Sequence, residues 1–168
     1  MLEGKTLSND LVKLVPLTKE DYNWIYAVAS DPGIWEQHPD RLRYTPVGFT
    51  KYFKKLLNTD QPYIILDINT DQVIGATSFY QYNQKENTIA IGYTFLAQEF
   101  WGGGYNQSIK KLMMNFAFSS LNKIFFHVRE GNIRSQKAIE KIGGKFERKY
   151  TSEDGLGTQI EYSVSKIE

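Results

Sequence analysis

Residues 92–118 read GYTFLAQEFWGGGYNQSIKKLMMNFAF, an apolar run followed by three glycines and an amphipathic pattern. The run Thr88–Leu96 predicts a strand, and apolar residues at helical spacing over 109–117 predict a helix after the glycines. Glycines between a strand and a helix let backbone N–H groups close around an anion. The first two turns of this helix contain no Asp or Glu, which is typical when an external anion supplies the negative charge. The stretch therefore predicts a phosphate-binding turn.

Two nucleotide-binding motifs are missing from this turn. Neither GxGxxG followed by a suitable acidic residue nor GxxxxGK followed by Ser or Thr occurs, so dinucleotides and ATP are poor candidate ligands. A tight glycine turn packed under the sheet is the structural alternative to a phosphate site.

The rest of the chain alternates between strand and helix patterns. The predicted elements are a strand at 12–15, a helix at 18–30, an irregular loop at 31–46, a helix at 47–58, a hairpin of 63–66 with 73–80, a strand at 124–128 buried on both faces, a helix from 132 to 143 and a hairpin of 146–151 with 158–164. Trp24, Ile25 and Val28 form the predicted apolar face of the first helix. This order predicts an α+β fold, with a mixed, mostly antiparallel sheet of six to seven strands flanked by helices on both faces.

Composition excludes several classes of protein. A chain of 168 residues can form one domain with a substantial core, and we expect a single domain over residues 1–168. A formal charge of +1 argues against direct binding to nucleic acid. No apolar stretch reaches the length of a membrane span, and the start MLEGKTLSND lacks the apolar core of a signal peptide. A cytoplasmic location without membrane contact is therefore expected.

Cysteine and histidine usage narrows the possible chemistry. The chain has no cysteine and two histidines, His38 and His127. Disulfides, thiolate nucleophiles and thiolate metal ligands are excluded, and two histidines cannot by themselves form a three-histidine zinc site. We therefore expect no metal, and catalysis by hydroxyls, carboxylates or backbone groups.

A second strand-to-helix unit ends in NIRSQKAIEKIGGKFE at residues 132–147. Together with residues 92–118 it resembles the GCN5-related N-acetyltransferase (GNAT) superfamily, in particular the branch similar to the ribosomal-protein N-terminal alanine acetyltransferases. The resemblance covers almost the whole chain. The superfamily pattern Gln/Arg-x-x-Gly-x-Gly/Ala falls on residues 101–106, with Gly104 as its strict match, and the pattern Asn-x-x-Ser/Ala falls on Asn132 and Ser135.

The resemblance implies acetyl-CoA as the acyl donor. In the family the glycine turn wraps the pyrophosphate of coenzyme A, and a splayed, bulged strand offers backbone groups to the pantetheine arm and the thioester. The Asn and Ser of the second pattern lie beside the same arm and the thioester sulfur. The implied cosubstrate-binding residues are Phe95, Leu96, Trp101, Gly102, Gly103, Gly104, Tyr105, Asn106, Asn132 and Ser135. The structural alternative for the last two is a helix N-cap and an exposed first-turn residue.

The chain departs from the family at two catalytic positions. Related sequences often have a glutamate general base where this chain has Ala90. Family members also have a tyrosine that protonates the leaving thiolate, at a position near Ile139 of this chain. Ser135, or water held by it, is therefore the candidate acid for the leaving thiolate. The backbone N–H near Leu96 is expected to polarise the thioester carbonyl. Water-relayed deprotonation would suffice for an α-amino group, which is partly neutral at pH 7.

The irregular loop at 31–46 is the candidate acceptor site. Trp35 and His38 are the predicted substrate-binding residues, since the cosubstrate strands carry few polar side chains suited to discrimination. The alternative interpretation makes Trp35 a buried anchor and His38 a loop cap. His127, in the apolar strand, is predicted to be a packed core histidine.

The motifs, through the family they resemble, imply an enzyme that moves an acetyl group from acetyl-CoA to a primary amine, on a protein N-terminus or a small molecule. The amine attacks directly in a ternary complex, and the enzyme is expected to be a monomer or homodimer. A non-catalytic acyl-CoA-binding or sensor protein of the same fold is the first alternative, because of Ala90 and Ile139. An RNA- or ribosome-associated protein is the second, suggested only by Lys51, Lys54 and Lys55, which are otherwise a solvated helix face.

Overall fold

The computed structural model describes residues 4–168, which form an eight-stranded sheet with helices on both faces. The strands are β1 Leu7–Ser8, β2 Val12–Pro16, β3 Gln61–Asp67, β4 Val73–Asn83, β5 Thr88–Leu96, β6 Lys123–Arg129, β7 Lys145–Thr151 and β8 Thr158–Ser165. The helices are α1 Tyr22–Ala29, α2 Pro46–Leu57, α3 Tyr105–Ala117 and α4 Ile133–Lys141. The strand order is β1-β2-β3-β4-β5-β6-β8-β7, and within it only β5 and β6 are parallel neighbours.

The α+β class, the mostly antiparallel sheet and the helices on both faces are confirmed. The single domain over residues 1–168 stays a prediction, and residues 1–3, where the inspected N-terminal stretch begins, lie outside the described residues. Within residues 4–168, no helix has the length and apolar character needed to cross a membrane.

The sheet has eight strands, one more than the upper limit of six to seven that we expected. Strand β1 contains two residues, and the chain reverses directly after it because the Asn9 side-chain oxygen accepts the N–H groups of Leu11 and Val12 at 2.9 and 3.0 Å. A two-residue strand is too short to show an alternating pattern, so the sequence gives no signal for it.

Helices α1 and α2 pack on β2 to β5. Ile25 and Ala29, one turn apart in α1, are fully buried, whereas Trp24 is 67% exposed. The prediction that Trp24 lies on the apolar face is wrong. Successive residues of a helix are about 100° apart, so Trp24 points away when Ile25 faces the sheet.

Helices α3 and α4 pack on the opposite face. Ile109, Met113 and Ala117 recur every fourth residue of α3 and are buried, and Ile139 of α4 joins the same cluster. The predicted amphipathic pattern of α3 is therefore confirmed, and the start of this helix is fixed beside the end of β5.

Strand β6 is buried on one face only. Ile124, Phe126 and Val128 are buried with α3 and α4. On the other face Phe125 is half-buried, and the His127 side chain, 6% exposed, is covered by the polar side chains of Tyr80 and Glu161 and by no apolar cluster. The prediction of a strand buried on both faces is wrong, because the cluster around α1 and α2 includes residues of β2 to β5 and none of β6. The uncovered part of this face adjoins the candidate active site.

Candidate active site

Strands β5 and β6 separate after three paired residues. The parallel ladder joins Thr88 to Lys123, Ile89 to Ile124 and Ala90 to Phe125. Beyond it both strands continue, to their ends at residues 96 and 129, without pairing to each other. The splayed strand expected at this place is confirmed, and it leaves a gap between neighbouring strands of one sheet.

A bulge deforms β5 beside the gap. The register pairs Ala76 with Phe95 and Ser78 with Gly92, so β5 carries one extra residue there, and Tyr93 has a φ of +56°. The hydroxyl of Tyr52 in α2 donates to the carbonyl oxygen of Tyr93 at 2.6 Å. Helix α2 therefore holds the bulge that lies beside the gap.

The backbone of Leu96 points into this gap. Leu96 lies opposite Gly75, and the neighbouring Ala97 N–H donates to the carbonyl of Ile74 at 2.8 Å. This pattern marks Leu96 and Gly75 as a pair without mutual hydrogen bonds, so the N–H and C=O of Leu96 face away from β4. The Trp101 indole N–H donates to that carbonyl at 2.9 Å, which ties the strand end to the glycine turn.

The glycine turn presents open backbone at the start of α3. Gly102 and Gly104 have φ values of +74° and +80°, and a side chain at either position would meet nothing within 4 Å. The N–H groups of residues 102–107 find no acceptor within residues 4–168, and the first helical hydrogen bond runs from Ser108 to Gly104 at 2.9 Å. The first turn contains no acidic residue. Such a concave set of free donors fits a phosphate group.

Two further residues predicted at this turn have different surroundings. The Tyr105 hydroxyl donates to Asp67 Oδ1 at 3.1 Å, and its ring packs against the edge of Phe100. The Asn106 side chain is exposed on the first turn of α3. Tyr105 therefore fixes the turn to the end of β3, and Asn106 stays available to a ligand.

The start of α4 lies after β6, on the other side of the gap. Asn132 is the N-cap, and its side-chain oxygen accepts the Ser135 N–H at 3.2 Å. The Ser135 hydroxyl is half-buried and forms no hydrogen bond within residues 4–168. The predicted cap is confirmed, and the serine hydroxyl is free to act on a ligand.

Trp35 of the irregular loop is buried behind β5. It is 3% exposed, its indole N–H donates to the carbonyl of Ala29 at 2.8 Å, and its ring centroid lies 5.1 Å from that of Phe95. Its contact with the site is through Phe95, and a direct contact with an acceptor stays a prediction.

His38 caps the same loop. Its Nδ1 accepts the Asp40 N–H at 3.0 Å, and Arg43 lies beside the ring, 3.4 Å from Nε2. Burial, together with the Arg43 cation, lowers the pKa of His38 to about 4. The imidazole is therefore neutral at pH 7, and its role in acceptor binding stays a prediction.

The sequence patterns do not reveal a polar set on the face of the gap that carries α1 and α2. This set consists of Tyr80 in β4, His127 in β6, Glu161 in β8 and Arg148 in β7, joined by hydrogen bonds. Alternation within β6 was the available signal for His127, because its neighbours 126 and 128 are the buried ones. Within residues 4–168, no three His, Asp or Glu side chains are grouped to hold a metal ion.

A family model described as an acetyltransferase (GNAT) domain matches residues 12–145. The chain belongs to the GNAT acetyltransferase family. A GCN5-related N-acetyltransferase from Brucella melitensis has a similar structure, with a TM-score of 0.82 and 18% identity over 97% of this chain and 79% of that chain.

Two other solved structures have a similar fold. Mycobacterium smegmatis RimJ in complex with CoA-disulfide has a TM-score of 0.75 and 14% identity, covering 97% of this chain and 88% of that one. A spermidine N-acetyltransferase chimera from Vibrio cholerae and hSSAT has a TM-score of 0.70 and 18% identity, covering 92% and 95%. At these identities the likeness concerns the fold alone. Comparison with curated proteins gives no match.

Proposed function

We propose that this protein transfers an acetyl group from acetyl-CoA to a primary amine on a protein N-terminus or a small molecule. The observation that supports this most directly is the open strand gap that ends at a glycine turn with free N–H groups. Family membership supplies the class of reaction, and the gap supplies a place for a long, narrow cosubstrate with phosphates at one end.

In this proposal the pyrophosphate lies on the N–H groups of residues 102–107. The positive end of the α3 dipole and the acid-free first turn both favour an anion there. The pantetheine arm follows the gap between β5 and β6, with Phe95 and Leu96 on one side and Asn132 and Ser135 on the other. Trp101 and Asn106 complete the turn.

The chemical step rests on positioning more than on covalent catalysis. The N–H of Leu96, which faces the gap, donates to the thioester oxygen and stabilises negative charge as the amine adds. The Ser135 hydroxyl, or a water molecule that it holds, protonates the departing thiolate. The amine attacks directly, so no acyl group is attached to the enzyme.

A thiol-release assay tests the proposed function. The purified protein is mixed with acetyl-CoA and one of four acceptor classes: peptides with a free α-amino group, spermidine, amino sugars and simple alkylamines. We expect release of free coenzyme A that depends on one of these amines, with the acetylated amine identified by mass. Binding of acetyl-CoA without release, for every amine, would instead support an acyl-CoA-binding protein without activity.

A further inference from the structure

A chain of hydrogen bonds crosses the gap between β5 and β6 on the face that carries α1 and α2. The Tyr80 hydroxyl lies 2.5 Å from His127 Nδ1, and His127 Nε2 lies 2.8 Å from Glu161 Oε2. The Nε of Arg148 donates to the other carboxylate oxygen of Glu161 at 3.1 Å. Four strands therefore contribute to one polar network, and β5 contributes no side chain to it.

The network lies where the two strands separate. Tyr80 is paired with Ala90 in the ladder, and its ring passes over β5 at Gly92, where a β-carbon would lie 2.8 Å from the ring. Glycine at position 92 therefore lets the tyrosine reach across the strand. His127 is two residues beyond Phe125, the last residue of β6 that pairs with β5.

The bulge adjoins the same network. The ring of Tyr93, the residue with positive φ, meets the Tyr80 ring edge-on with centroids 5.2 Å apart. The Tyr80 hydroxyl is thus close to the deformed part of β5, on the side from which an acceptor reaches the gap if the cosubstrate enters past α3 and α4. Position 90, where relatives often have a glutamate base, has an alanine in this chain.

The protonation states of the network follow from its partners. Burial opposes ionisation of Glu161, but hydrogen bonds from Arg148 and His127 outweigh it and hold the pKa of this carboxyl below its ordinary value. An ionised carboxylate can only accept a hydrogen bond, so His127 carries its proton on Nε2. The lone pair of Nδ1 then accepts the Tyr80 hydroxyl, whose pKa burial raises well above its ordinary value.

We propose that Tyr80 and His127 form the proton acceptor for the incoming amine, with Glu161 and Arg148 as positioning residues. This inference rests on the proposed N-acetyltransferase function. The acceptor ammonium gives one proton to the Tyr80 oxygen while the Tyr80 proton moves to Nδ1 of His127. One N–H bond of the ammonium breaks, one Nδ1–H bond forms, and the tyrosine ends as it began. The Glu161 carboxylate stabilises the resulting imidazolium.

Several titratable or charged groups surround His127 and its partners. They are Tyr80 from β4, Tyr93 from β5, Arg129 from β6, Arg148 and Tyr150 from β7, Glu153 from the β7–β8 loop, Glu161 from β8 and, beside Tyr93, Arg43 from the irregular loop. Two carboxylates and three guanidiniums are therefore the charges that act on this network.

The test compares two acceptors of the same shape and different basicity. One is the alkylamine that the wild-type protein acetylates best, or a peptide with an N-terminal β-alanine, and the other is its aminooxy analogue, with oxygen in place of the methylene next to the nitrogen. The aminooxy group is neutral at pH 7 and needs no proton acceptor before attack. We expect His127→Gln and Tyr80→Phe each to lower kcat/KM for the amine by about 10²- to 10⁴-fold, and for the aminooxy analogue by less than about threefold.

Two further variants make the outcomes decisive. Tyr150→Phe removes a neighbouring tyrosine hydroxyl that donates to Gln159 and not to His127. It should leave kcat/KM unchanged for both acceptors. Glu161→Gln keeps an acceptor for Nε2 but removes the charge that stabilises the imidazolium, so it should lower kcat/KM for the amine and leave kcat/KM for the aminooxy analogue nearly unchanged.

Each result points one way. Equal losses of kcat/KM for the amine and for the aminooxy analogue in both variants would assign Tyr80 and His127 a structural role. That result would overturn the proposed proton acceptor. Unchanged amine kinetics in His127→Gln would overturn it as well. If the wild-type protein binds acetyl-CoA and acetylates no amine, the proposed function is wrong, and the proposed proton acceptor is wrong with it.

Discussion

His38 is expected to make the stability of this protein sensitive to acid. Its pKa is lowered to about 4 in the folded state by burial and by Arg43, whereas a histidine in an unfolded chain titrates near 6.5. Between these values the unfolded state binds a proton that the folded state does not. The stabilisation is complete above pH 6.5 and is lost as the pH falls toward 4.

We predict that this residue makes the free energy of unfolding about 2 kcal/mol lower at pH 5 than at pH 8. Urea unfolding of the wild-type protein and His38→Gln at both pH values measures the difference. The variant should depend less on pH, because glutamine can replace the hydrogen-bond acceptor at Nδ1 without titrating. The same pH dependence in both proteins would show that His38 is not the titrating group.

Ser135 is the second residue with a defined expectation. Its hydroxyl has no partner within residues 4–168, while its N–H is already used by the Asn132 cap. We expect Ser135→Ala to lower kcat by roughly 10- to 1000-fold with little change in the affinity for coenzyme A. A thiolate is a good leaving group, which favours the lower end of that range.

Threonine is the matched control at this position. Ser135→Thr keeps a hydroxyl and the backbone cap, so partial recovery of kcat would support proton donation. Equal losses in the alanine and threonine variants would indicate crowding of the thioester. Turnover like the wild-type protein in both would remove Ser135 from the catalytic groups.

At the scale of elements, the glycine turn allows steric and conformational effects to be separated. Gly103 has no positive φ, and a β-carbon there would lie 3.5 Å from the Tyr105 ring, an ordinary contact. Gly104 has a φ of +80°, so a side chain there strains the backbone even without a ligand. We therefore expect Gly103→Ala to keep the wild-type melting temperature and to bind coenzyme A at least about tenfold more weakly.

Gly155 provides the matched control for backbone strain. It lies in the β7–β8 loop with a φ of +69° and open space around its β-carbon position. Gly155→Ala and Gly104→Ala should lose similar stability, by urea unfolding, while only Gly104→Ala should lose affinity for coenzyme A. Calorimetric titration measures that affinity. Equal coenzyme A binding by Gly103→Ala and the wild-type protein would contradict a phosphate site at this turn.

The secondary structure could be predicted because apolar residues recur at helical spacing in the helices and form short apolar runs in the strands. The predicted bounds of β5, Thr88–Leu96, agree with the structure, and the cap of α4 at Asn132 was visible from its residue type and position. The bulge at Tyr93 and the gap beside it could not be predicted from periodicity. Both depend on how β5 pairs with distant parts of the chain: its register with β4 shifts between Ala76 and Ser78, and its ladder with β6 covers only three residues.

The candidate site also has one part that could be predicted from the sequence and one part that could not. The glycine turn and the Asn132–Ser135 pair are contiguous in sequence, so a motif reveals them. Tyr80 and Glu161 lie 47 and 34 positions away from His127, and only the completed sheet brings the three together. The sequence therefore predicted a cosubstrate site, and it missed the polar network that the completed sheet assembles beside the gap.

At the scale of the whole molecule, coenzyme A would join the two halves of the split sheet. The glycine turn follows β5, the Asn132 cap follows β6, and a ligand that contacts both binds only the folded state. Such a ligand stabilises the protein by mass action, by about 2.7 kcal/mol at one hundred times its dissociation constant. For a chain of this size that corresponds to a rise in Tm of about 5–10 °C.

We therefore predict that acetyl-CoA and coenzyme A each raise the Tm by this amount, as measured by calorimetry. ATP is the control ligand, because it offers a polyphosphate to the glycine turn but has no pantetheine arm to fill the gap. ATP should raise the Tm far less than coenzyme A at equal concentration. If ATP matched coenzyme A, the turn would be a general phosphate site and the gap would contribute nothing. If neither ligand changed the Tm, the open backbone of residues 102–107 would be a structural turn.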